Sequence, residues 1–280
     1  MLGMLLVSGQ ETGTPPAKTG KFHLAVNYSY LNTDLTLRDM SLHSIWNEHD
    51  YGVQDLDQED VDQVNAITTF NKRFSGIGIE AGVTLLNKPG SPWRIDGSII
   101  GGLMKVTSQT RNNNVDTMVL KVSSGMNNPV IGLKFRFDYA FNTRWGVSLA
   151  PYFIYSWGHP SDIDDRMNAR VVFFNETRKY AYDYLYARIT PLAFYNLKHV
   201  RISAGPGFYY MYLSTEYQLK RIDPNSGASF DEFINSRLTG KYFIDGSLAA
   251  EWRIINGLAL NAFVGIGSNI ICHAGIVYTF

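Results

Sequence analysis

Cysteine, net charge and long hydrophobic runs are all scarce in this chain of 280 residues. The single cysteine, Cys272, excludes an internal disulfide and makes a cysteine-built metal site implausible. The 25 basic and 25 acidic side chains cancel, so there is no overall basic field to attract nucleic acid. No stretch approaches the roughly 18 apolar residues that a membrane-spanning helix requires. The sequence therefore predicts neither a nucleic-acid-binding protein nor a helical membrane protein.

Aromatic residues and glycine, in contrast, are plentiful. The chain has 17 tyrosines, 16 phenylalanines and 25 glycines, a composition that favours strands over helices. In the segment IGLKFRFDYAF, residues 131–141, large apolar residues take every odd position and Lys134, Arg136 and Asp138 stand between them. Because successive side chains of a strand point to opposite faces, this segment has one apolar face and one charged face.

The same period of two returns in ten segments between residues 21 and 280. They lie near residues 21–30, 68–86, 93–103, 131–141, 145–157, 185–195, 200–212, 242–253, 258–267 and 271–280. Very short connections, such as NTR and ING, alternate with mostly long polar ones at about 38–66, 158–177 and 216–238. This arrangement is typical of outer-membrane barrels. The sequence predicts an all-β fold, a transmembrane antiparallel up-and-down β-barrel of about ten strands with long extracellular loops and short periplasmic turns.

Aromatic residues recur at two heights on the predicted apolar face. The set beside the short turns and the chain end is Trp93, Phe141, Trp145, Tyr195, Trp252 and Phe280. The set nearer the long loops is Tyr28, Tyr30, Tyr155, Trp157, Tyr210 and Tyr212. Two such girdles are typical of a barrel whose outer face meets lipid.

The last ten residues, ICHAGIVYTF, alternate up to the terminal Phe280. They resemble the C-terminal strand of bacterial outer-membrane β-barrel proteins. The resemblance implies a bacterial outer-membrane location, contact with outer-membrane lipid, and recognition by the outer-membrane assembly machinery during insertion. The charged faces then line the lumen. Neither the residues nor the resemblance indicates a cofactor, and the extracellular ligand of the loops stays unknown.

The N-terminal segment MLGMLLVSGQETGTPPAKTG has a short apolar run, small residues and a polar Pro-rich stretch. This pattern predicts that residues 1–20 are a signal-peptide remnant and a polar segment, with the mature chain beginning near Gln10. Residues 21–280 would then form the barrel. An unremarkable disordered tail is the alternative.

Charged residues on the inward parity of the strands are nearly balanced in sign. They are Glu80, Arg94, Asp96, Lys134, Arg136, Asp138, Arg188, Arg201, Asp245, Glu251 and Arg253. A barrel of about eight strands is filled by its own side chains, whereas an aqueous porin channel needs about 16. We expect these charges to pair across the lumen and plug it, because an unpaired buried charge is costly. A narrow polar pore or an internal ligand site is the alternative.

Three prolines, Pro151, Pro191 and Pro206, fall in consecutive predicted strands on the outward parity. Proline donates no hydrogen bond to a β-ladder, so locally missing bonds are expected, helped by Gly205 and Gly207. One interpretation is a set of bulges that bends a small barrel. The other is a lateral gap that admits a lipid chain, which resembles the proline-flanked openings of the outer-membrane palmitoyl-transfer barrels.

Acidic residues and histidines in the long loops supply the candidates for chemistry. His49 and Asp50, with Asp162, Asp164 and Asp165, could meet above the rim, where the ten-stranded omptin proteases carry acidic pairs and an Asp–His couple. External acidic residues are more often solvated, and the Gly-x-Ser-x-Gly and His-Glu-x-x-His motifs are missing.

Two sets of residues raise the question of a metal. Asp55, Asp57, Glu59, Asp60 and Asp62 offer oxygen ligands for Ca²⁺, but they lack the EF-hand spacing, which favours a solvated acidic loop. His23 and His273 point inward near the seam and are better explained as polar lining than as metal ligands. The leading hypothesis is an outer-membrane barrel with a largely filled lumen and a structural, adhesive or narrow-pore transport role, without enzyme activity. The alternative is an outer-membrane lipid-modifying or omptin-like hydrolytic enzyme.

Overall fold

The computed structural model describes residues 22–88, 90–112, 119–123, 128–162, 175–223, 225–240, 243–267 and 269–280. Within these ranges the strands are β1 (Phe22–Trp46), β2 (His49–Asp55), β3 (Thr68–Asn87), β4 (Trp93–Asn112), β5 (Val119–Ser123), β6 (Asn128–Ala140), β7 (Trp145–Asp162), β8 (Asn175–Asn196), β9 (Val200–Ile222), β10 (Ser229–Gly240), β11 (Ile244–Ile255), β12 (Leu258–Gly267) and β13 (Ile270–Thr279). A helix, α1, spans Gln58–Ile67. No helix in these ranges is long and apolar enough to cross a membrane. The predicted signal remnant, residues 1–20, lies outside the described residues.

Ten strands form a closed antiparallel ring in the order β1, β3, β4, β6, β7, β8, β9, β11, β12 and β13. β13 pairs with β1 and closes the ring, from the pair His23–Thr279 to the pair Asn32–Ile270. Each ring strand neighbours the next one along the chain. The predicted all-β, antiparallel up-and-down barrel of about ten strands is therefore confirmed.

The two ends of the ring differ in their connections. Four short turns, at residues 88–92, 141–144, 197–199 and 256–257, lie at one end, which we call the short-turn end. The tightest of them places Gly257 at a φ of 86°, a conformation that glycine adopts at no steric cost. The first and last described residues meet at the same end, where the Phe280 N–H donates to the Phe22 carbonyl oxygen at 2.9 Å. The opposite end is the long-loop end.

Two regions expected to be loops at the long-loop end consist largely of strand. β1 continues to Trp46 and turns through Asn47 and Glu48 into β2, and the region 216–238 holds the end of β9 and most of β10. The prediction was wrong at these places because the strands leave the apolar belt there. Without an apolar outer face, the alternation that marks a strand fades.

Helix α1 has no counterpart among the predicted elements. Asp57 caps it, and its carboxylate accepts a hydrogen bond from the Asp60 N–H at 2.9 Å. Val61 is buried inside the barrel. Asn65 fixes the helix to β1, because its side chain both accepts from the Leu37 N–H and donates to the Leu37 carbonyl oxygen, each at 2.9 Å.

The wall of the barrel loses strands toward the long-loop end. β9 pairs with β11 as far as Phe208 and with β10 from Tyr212 onward. β1 likewise pairs with β13 up to Asn32 and with β10 from Leu35 onward. One strand, β10, thus takes the place of three, so the circumference falls from ten strands to eight. Eight strands enclose an interior that side chains can just fill.

The narrowed half contains the hydrophobic core. Its buried members are Leu31, Leu35, Leu37, Val61, Phe74, Met104, Val106, Val130, Tyr182, Tyr184, Tyr186, Tyr209, Met211, Leu213, Leu238 and Ile271. The outer surface between the two ends is apolar too, and it exposes side chains such as Ile79, Ile99, Ile131 and Leu248. The barrel is therefore filled at one end and apolar on the outside.

Candidate functional site

The lumen changes character along its length. On β4 the inward residues are Asp96 and Ser98 near the short-turn end, then Ile100 and Met104 toward the long-loop end. Most of the other inward charges also lie beside the short turns, whereas Lys72 on β3 and Asp245 on β11 are buried farther toward the long-loop end. The interior consequently has a charged half and an apolar half.

Arg136 on β6 is the centre of the charged half. Its guanidinium lies 2.9 Å from the Asp96 carboxylate, 3.5 Å from that of Asp138 and 3.2 Å from that of Glu251. The contact with Glu251 spans the lumen, since three strands of the ring separate β6 from β11. One arginine therefore joins opposite walls of the barrel.

A second ion pair also crosses the lumen. Arg201 on β9 donates two hydrogen bonds to Asp138 on β6, at 2.6 and 2.9 Å. Two strands of the ring lie between them. The Arg201 guanidinium also stacks 3.8 Å above the ring of Phe194, which holds it flat against the wall. Bidentate pairs of this kind are the strongest that arginine makes.

Glu80 forms the third part of the network. Lys134 donates to both of its carboxylate oxygens, at 3.2 and 3.0 Å, and Asn27 adds a hydrogen bond at 3.2 Å. His23 lies 3.6 Å away. Each of the inward charges proposed from the sequence takes part in an ion pair: Glu80, Arg94, Asp96, Lys134, Arg136, Asp138, Arg188, Arg201, Asp245, Glu251 and Arg253.

Arg188 and Asp245 form a separate buried pair at 2.6 Å. Arg188 belongs to β8 and Asp245 to β11, so the pair reaches over the intervening strand β9. A Cβ atom at Gly207 of β9 would overlap the guanidinium. Glycine at this position therefore leaves the space through which the Arg188 side chain crosses β9. Ser247 accepts a further hydrogen bond from the guanidinium at 2.7 Å.

The prolines interrupt two ladders. Between β8 and β9 the pairing stops after Ile189–Phe208 and resumes at Ala193–Ala204, which leaves Pro191 opposite Pro206 in the gap. Between β6 and β7 the pairing lacks Phe135–Pro151 and the adjacent pair, Arg136–Ala150. The β8–β9 register is the same on both sides of the gap. The interruption is thus a loss of hydrogen bonds without the extra residue that defines a bulge.

The β8–β9 interruption is closed on the inside. The Pro191 carbonyl oxygen lies so close to Gly205 that a Cβ atom there would collide with it. The Arg188 guanidinium lies across the same stretch of β9, because it reaches Asp245 over Gly207. The structure therefore shows weakened pairing at this site, with the strands still in contact.

A cavity of about 340 Å³ lies in the lumen. Charged residues such as Lys134 and Arg94 line it near the short-turn end, and Met104 and Ile154 line it near the core. Inward-facing glycines help to leave this space, and at Gly78 a Cβ atom would meet Ile100 at an ordinary contact distance of 3.5 Å. The cavity therefore has a polar end and an apolar end.

The aromatic residues proposed as a girdle lie at the short-turn end. Trp93, Phe141, Trp145, Trp252 and Phe280 are exposed on the outside of the barrel. Trp145 packs against Tyr195, the sixth proposed member, with ring centroids 4.5 Å apart and the rings tilted by 50°. All six stand within three residues of a strand end, which sets their common height.

The described residues among those considered for hydrolysis lie on separate strands at the long-loop end. His49 and Asp50 belong to β2, which pairs with β1, whereas Asp162 ends β7, which pairs with β8. Asp164 and Asp165 lie outside the described residues. Asp50 instead contacts His43 at 2.7 Å, and the Gly52 N–H and the His43 ring together lower the pKa of its carboxyl group.

Of the acidic residues considered for Ca²⁺, Asp55 ends β2, Asp57 precedes α1, and Glu59, Asp60 and Asp62 lie in the first turns of α1. Asp57 accepts the capping hydrogen bond, and Asp62 accepts one from Gln58 at 2.8 Å. His23 and His273 both face the lumen, where they contact Ser98 at 3.1 Å and Ser29 at 2.6 Å. Among the described residues, no three His, Cys, Asp or Glu side chains are placed to hold a metal ion.

The aromatic filling of the lumen is the part that sequence reasoning missed. Tyr182, Tyr184 and Tyr186 on β8 all point inward and are buried. Phe74 stacks on Tyr184 at 4.2 Å. The available signal was the run YAYDYLYAR, in which tyrosine takes every second place. Because Leu185 and Ala187 make the other face apolar too, the pattern did not show which face points inward.

Comparison with known proteins finds solved structures that are distantly similar to this chain. No family model and no curated protein matches the sequence. The transport unit of the autotransporter AIDA-I from Escherichia coli is 11% identical with a TM-score of 0.43, covering 98% of this chain and 95% of that one. The translocator domain of the autotransporter NalP from Neisseria meningitidis is 11% identical with a TM-score of 0.40, covering 97% and 90%. The outer membrane protease OmpT from Escherichia coli is 9% identical with a TM-score of 0.38, covering 94% and 100%.

Proposed function

We propose that this chain is an integral protein of the bacterial outer membrane. The support is the exposed apolar belt around a closed barrel, bordered at the short-turn end by Trp93, Trp145 and Trp252. Exposed apolar surface of this extent is unfavourable in water and favourable in lipid. By the usual orientation of such barrels, the short-turn end faces the periplasm and the long-loop end faces outward.

Within that membrane we propose a structural barrel that is closed to free ion flow. The observation that carries this proposal is the pair of ionic contacts across the lumen, Arg136–Glu251 and Arg201–Asp138. The apolar core of the narrowed half adds a second closure. Hydrated ions would have to part these pairs and then cross a mainly apolar core filled by side chains, and both steps are costly.

Conductance measurements in planar lipid bilayers test the proposal. Refolded wild-type protein is expected to show no steady current. Arg136→Glu places a like charge beside Asp96, Asp138 and Glu251, so it should either open a current or lower the unfolding temperature. Arg144→Glu, in an exposed short turn, is the matched control and should behave like the wild type.

Two results would refute a closed barrel. One is a steady, voltage-independent current through the wild-type protein. The other is an Arg136→Glu protein with unchanged conductance and unchanged thermal stability, since the ionic closure would then contribute nothing.

A further inference from the structure

The ion pairs around the cavity are unequally exposed. The carboxylate partners are buried, with side-chain exposures of 5% for Glu80 and 8% for Asp96. Their cationic partners remain open, with 37% for Lys134 and 30% for Arg94. The most exposed acid of the network is Glu251 at 25%. Although the charges nearly balance, the surface presented to the cavity is therefore mainly cationic.

Lys134 and Arg94 also have N–H donors that can bind a further acceptor. The contacts of Arg94 with Asp96 involve its Nε atom, at 3.0 and 3.2 Å. A guanidinium carries five N–H donors and an ammonium three, and neither can accept. A group that bound beside Lys134 and Arg94 would therefore have to be an acceptor, and an anion would bind best.

The other end of the cavity, toward the long-loop end, is apolar. Ile100, Met104, Val130 and Ile154 line it on successive strands, below the aromatic core. This half suits a hydrocarbon chain or ring, since burying such a group there removes apolar surface from water. A volume of about 340 Å³ is at the low end for ligand pockets, so it accommodates one small molecule.

We propose that the lumen binds one small amphiphile, with an anionic head group at Lys134 and Arg94 and an apolar body directed toward Met104 and Ile154. The head is a carboxylate or a phosphate, because both accept several hydrogen bonds and carry negative charge. The proposal rests on the proposed function in one respect, that the ligand is held inside the barrel lumen. Ligand binding and ion conductance are measured separately, so either result can fail without the other.

Binding is tested with four probes that share one alkyl chain: decanoate, decyl phosphate, decanol and decyltrimethylammonium. The protein is embedded in lipid nanodiscs, and isothermal titration is corrected with nanodiscs that lack protein. Saturable binding of one decanoate or decyl phosphate per barrel is expected. Decanol should bind at least tenfold more weakly, and the cationic probe should show no saturable binding. Tighter binding of decyl phosphate than of decanoate would assign the site to phosphate-headed lipids, and the reverse to carboxylates.

Variants at two glycines test whether the binding site lies inside the barrel. Gly78→Leu fills the cavity from β3 and should abolish decanoate binding. Gly101→Leu is the matched control, because Gly101 faces outward on the adjacent strand and a Cβ atom there meets nothing within 4 Å. Gly78→Ala, whose Cβ makes only ordinary contacts, should weaken binding severalfold and serves if the leucine variant fails to fold.

A third variant tests the head-group site. Lys134→Met combined with Glu80→Gln removes the cation without leaving a buried carboxylate unpaired, and should reduce decanoate affinity at least tenfold while decanol binding is unchanged. The proposal is wrong if decanol binds as tightly as decanoate, if the Gly78 variants bind decanoate as the wild type does, or if the wild-type barrel shows no saturable binding.

Discussion

Pro191 on β8 lies directly opposite Pro206 on β9, at the centre of three missing ladder pairs. In an antiparallel hydrogen-bonded pair, each residue donates its N–H to the other. Proline has no N–H, so two prolines at such a pair remove both bonds at once. The pairs on either side depend on the same bonds and are lost with them. The sequence alone locates the weak point, because both prolines can be read from it.

Replacing both prolines with alanine should restore this part of the ladder. Each regained hydrogen bond is worth about 0.5–1.5 kcal/mol, partly offset by the greater entropy of the unfolded chain. The double variant should therefore unfold at a modestly higher temperature. Hydrogen exchange of the amides around residues 189–193 should slow relative to the wild type. Pro129→Ala is the control, since Pro129 lies in an unbroken ladder opposite Leu103.

The hypothesis of a lateral gap between β8 and β9 makes a separate prediction for the double alanine variant. If a lipid chain enters between β8 and β9, closing the gap should reduce the amount of acyl chain that copurifies in the lumen. Unchanged acyl-chain occupancy together with slower exchange would show that the prolines weaken the wall without opening it.

Much of this architecture could be predicted from the alternation of side chains, and the reason is physical. Where one face meets lipid and the other meets charges, as in residues 131–141, the period of two is unmistakable. The pattern fails where both faces are alike. β10 and the end of β1 are polar on their outer faces, and Tyr184 and Leu185 on β8 make both faces apolar. The narrowing of the barrel depends on the pairing of β10 between β1 and β9, which no local pattern records.

The charged residues of the lumen could be named from their parity, but their partners could not. Arg136 and Glu251 are far apart in the sequence and meet only because the ring closes. The exposed cationic surface of the cavity likewise depends on which partner of each pair is buried. That property belongs to the packed lumen and not to any single strand.

Deleting Phe280 should impair assembly in the outer membrane. Phe280 is exposed at the short-turn end, packs edge-on against Tyr278 at 4.8 Å, and donates its N–H to Phe22. The deletion removes an aromatic anchor, a link across the seam and the end of the proposed assembly signal. Fractionated cells should contain the shortened chain in the periplasm. Phe141→Ala, which removes another exposed aromatic residue at the same end, should still insert, and a normally folded, heat-modifiable band for the deletion would contradict the prediction.

Leu213→Ala should destabilise the narrowed half of the barrel. Leu213 belongs to β9, which lies between β8 and β10, and its side chain is fully buried in the core. Removing such a side chain from a core costs about 2–5 kcal/mol, depending on how far the surroundings relax. Chemical denaturation of the refolded protein measures the loss. Ile131→Ala, on the outer face, leaves no internal cavity and should cost clearly less; equal losses for the two variants would mean that the core does not stabilise the fold.

The pair of Arg188 and Asp245 should behave as one unit in a double-mutant cycle. Both side chains are almost completely buried, at 3% and 1% exposure. Removing either partner leaves the other charge unpaired, so Arg188→Ala and Asp245→Ala should each cost about 3–5 kcal/mol of unfolding free energy. The double variant should cost much less than the sum, because no charge is left behind. Arg253→Ala provides the control, since its contact with Glu251 is half exposed and should contribute about 0–1 kcal/mol. Additive losses at Arg188 and Asp245 would show that the two groups act independently, and β9 would then be held against β8 and β11 by its ladders alone.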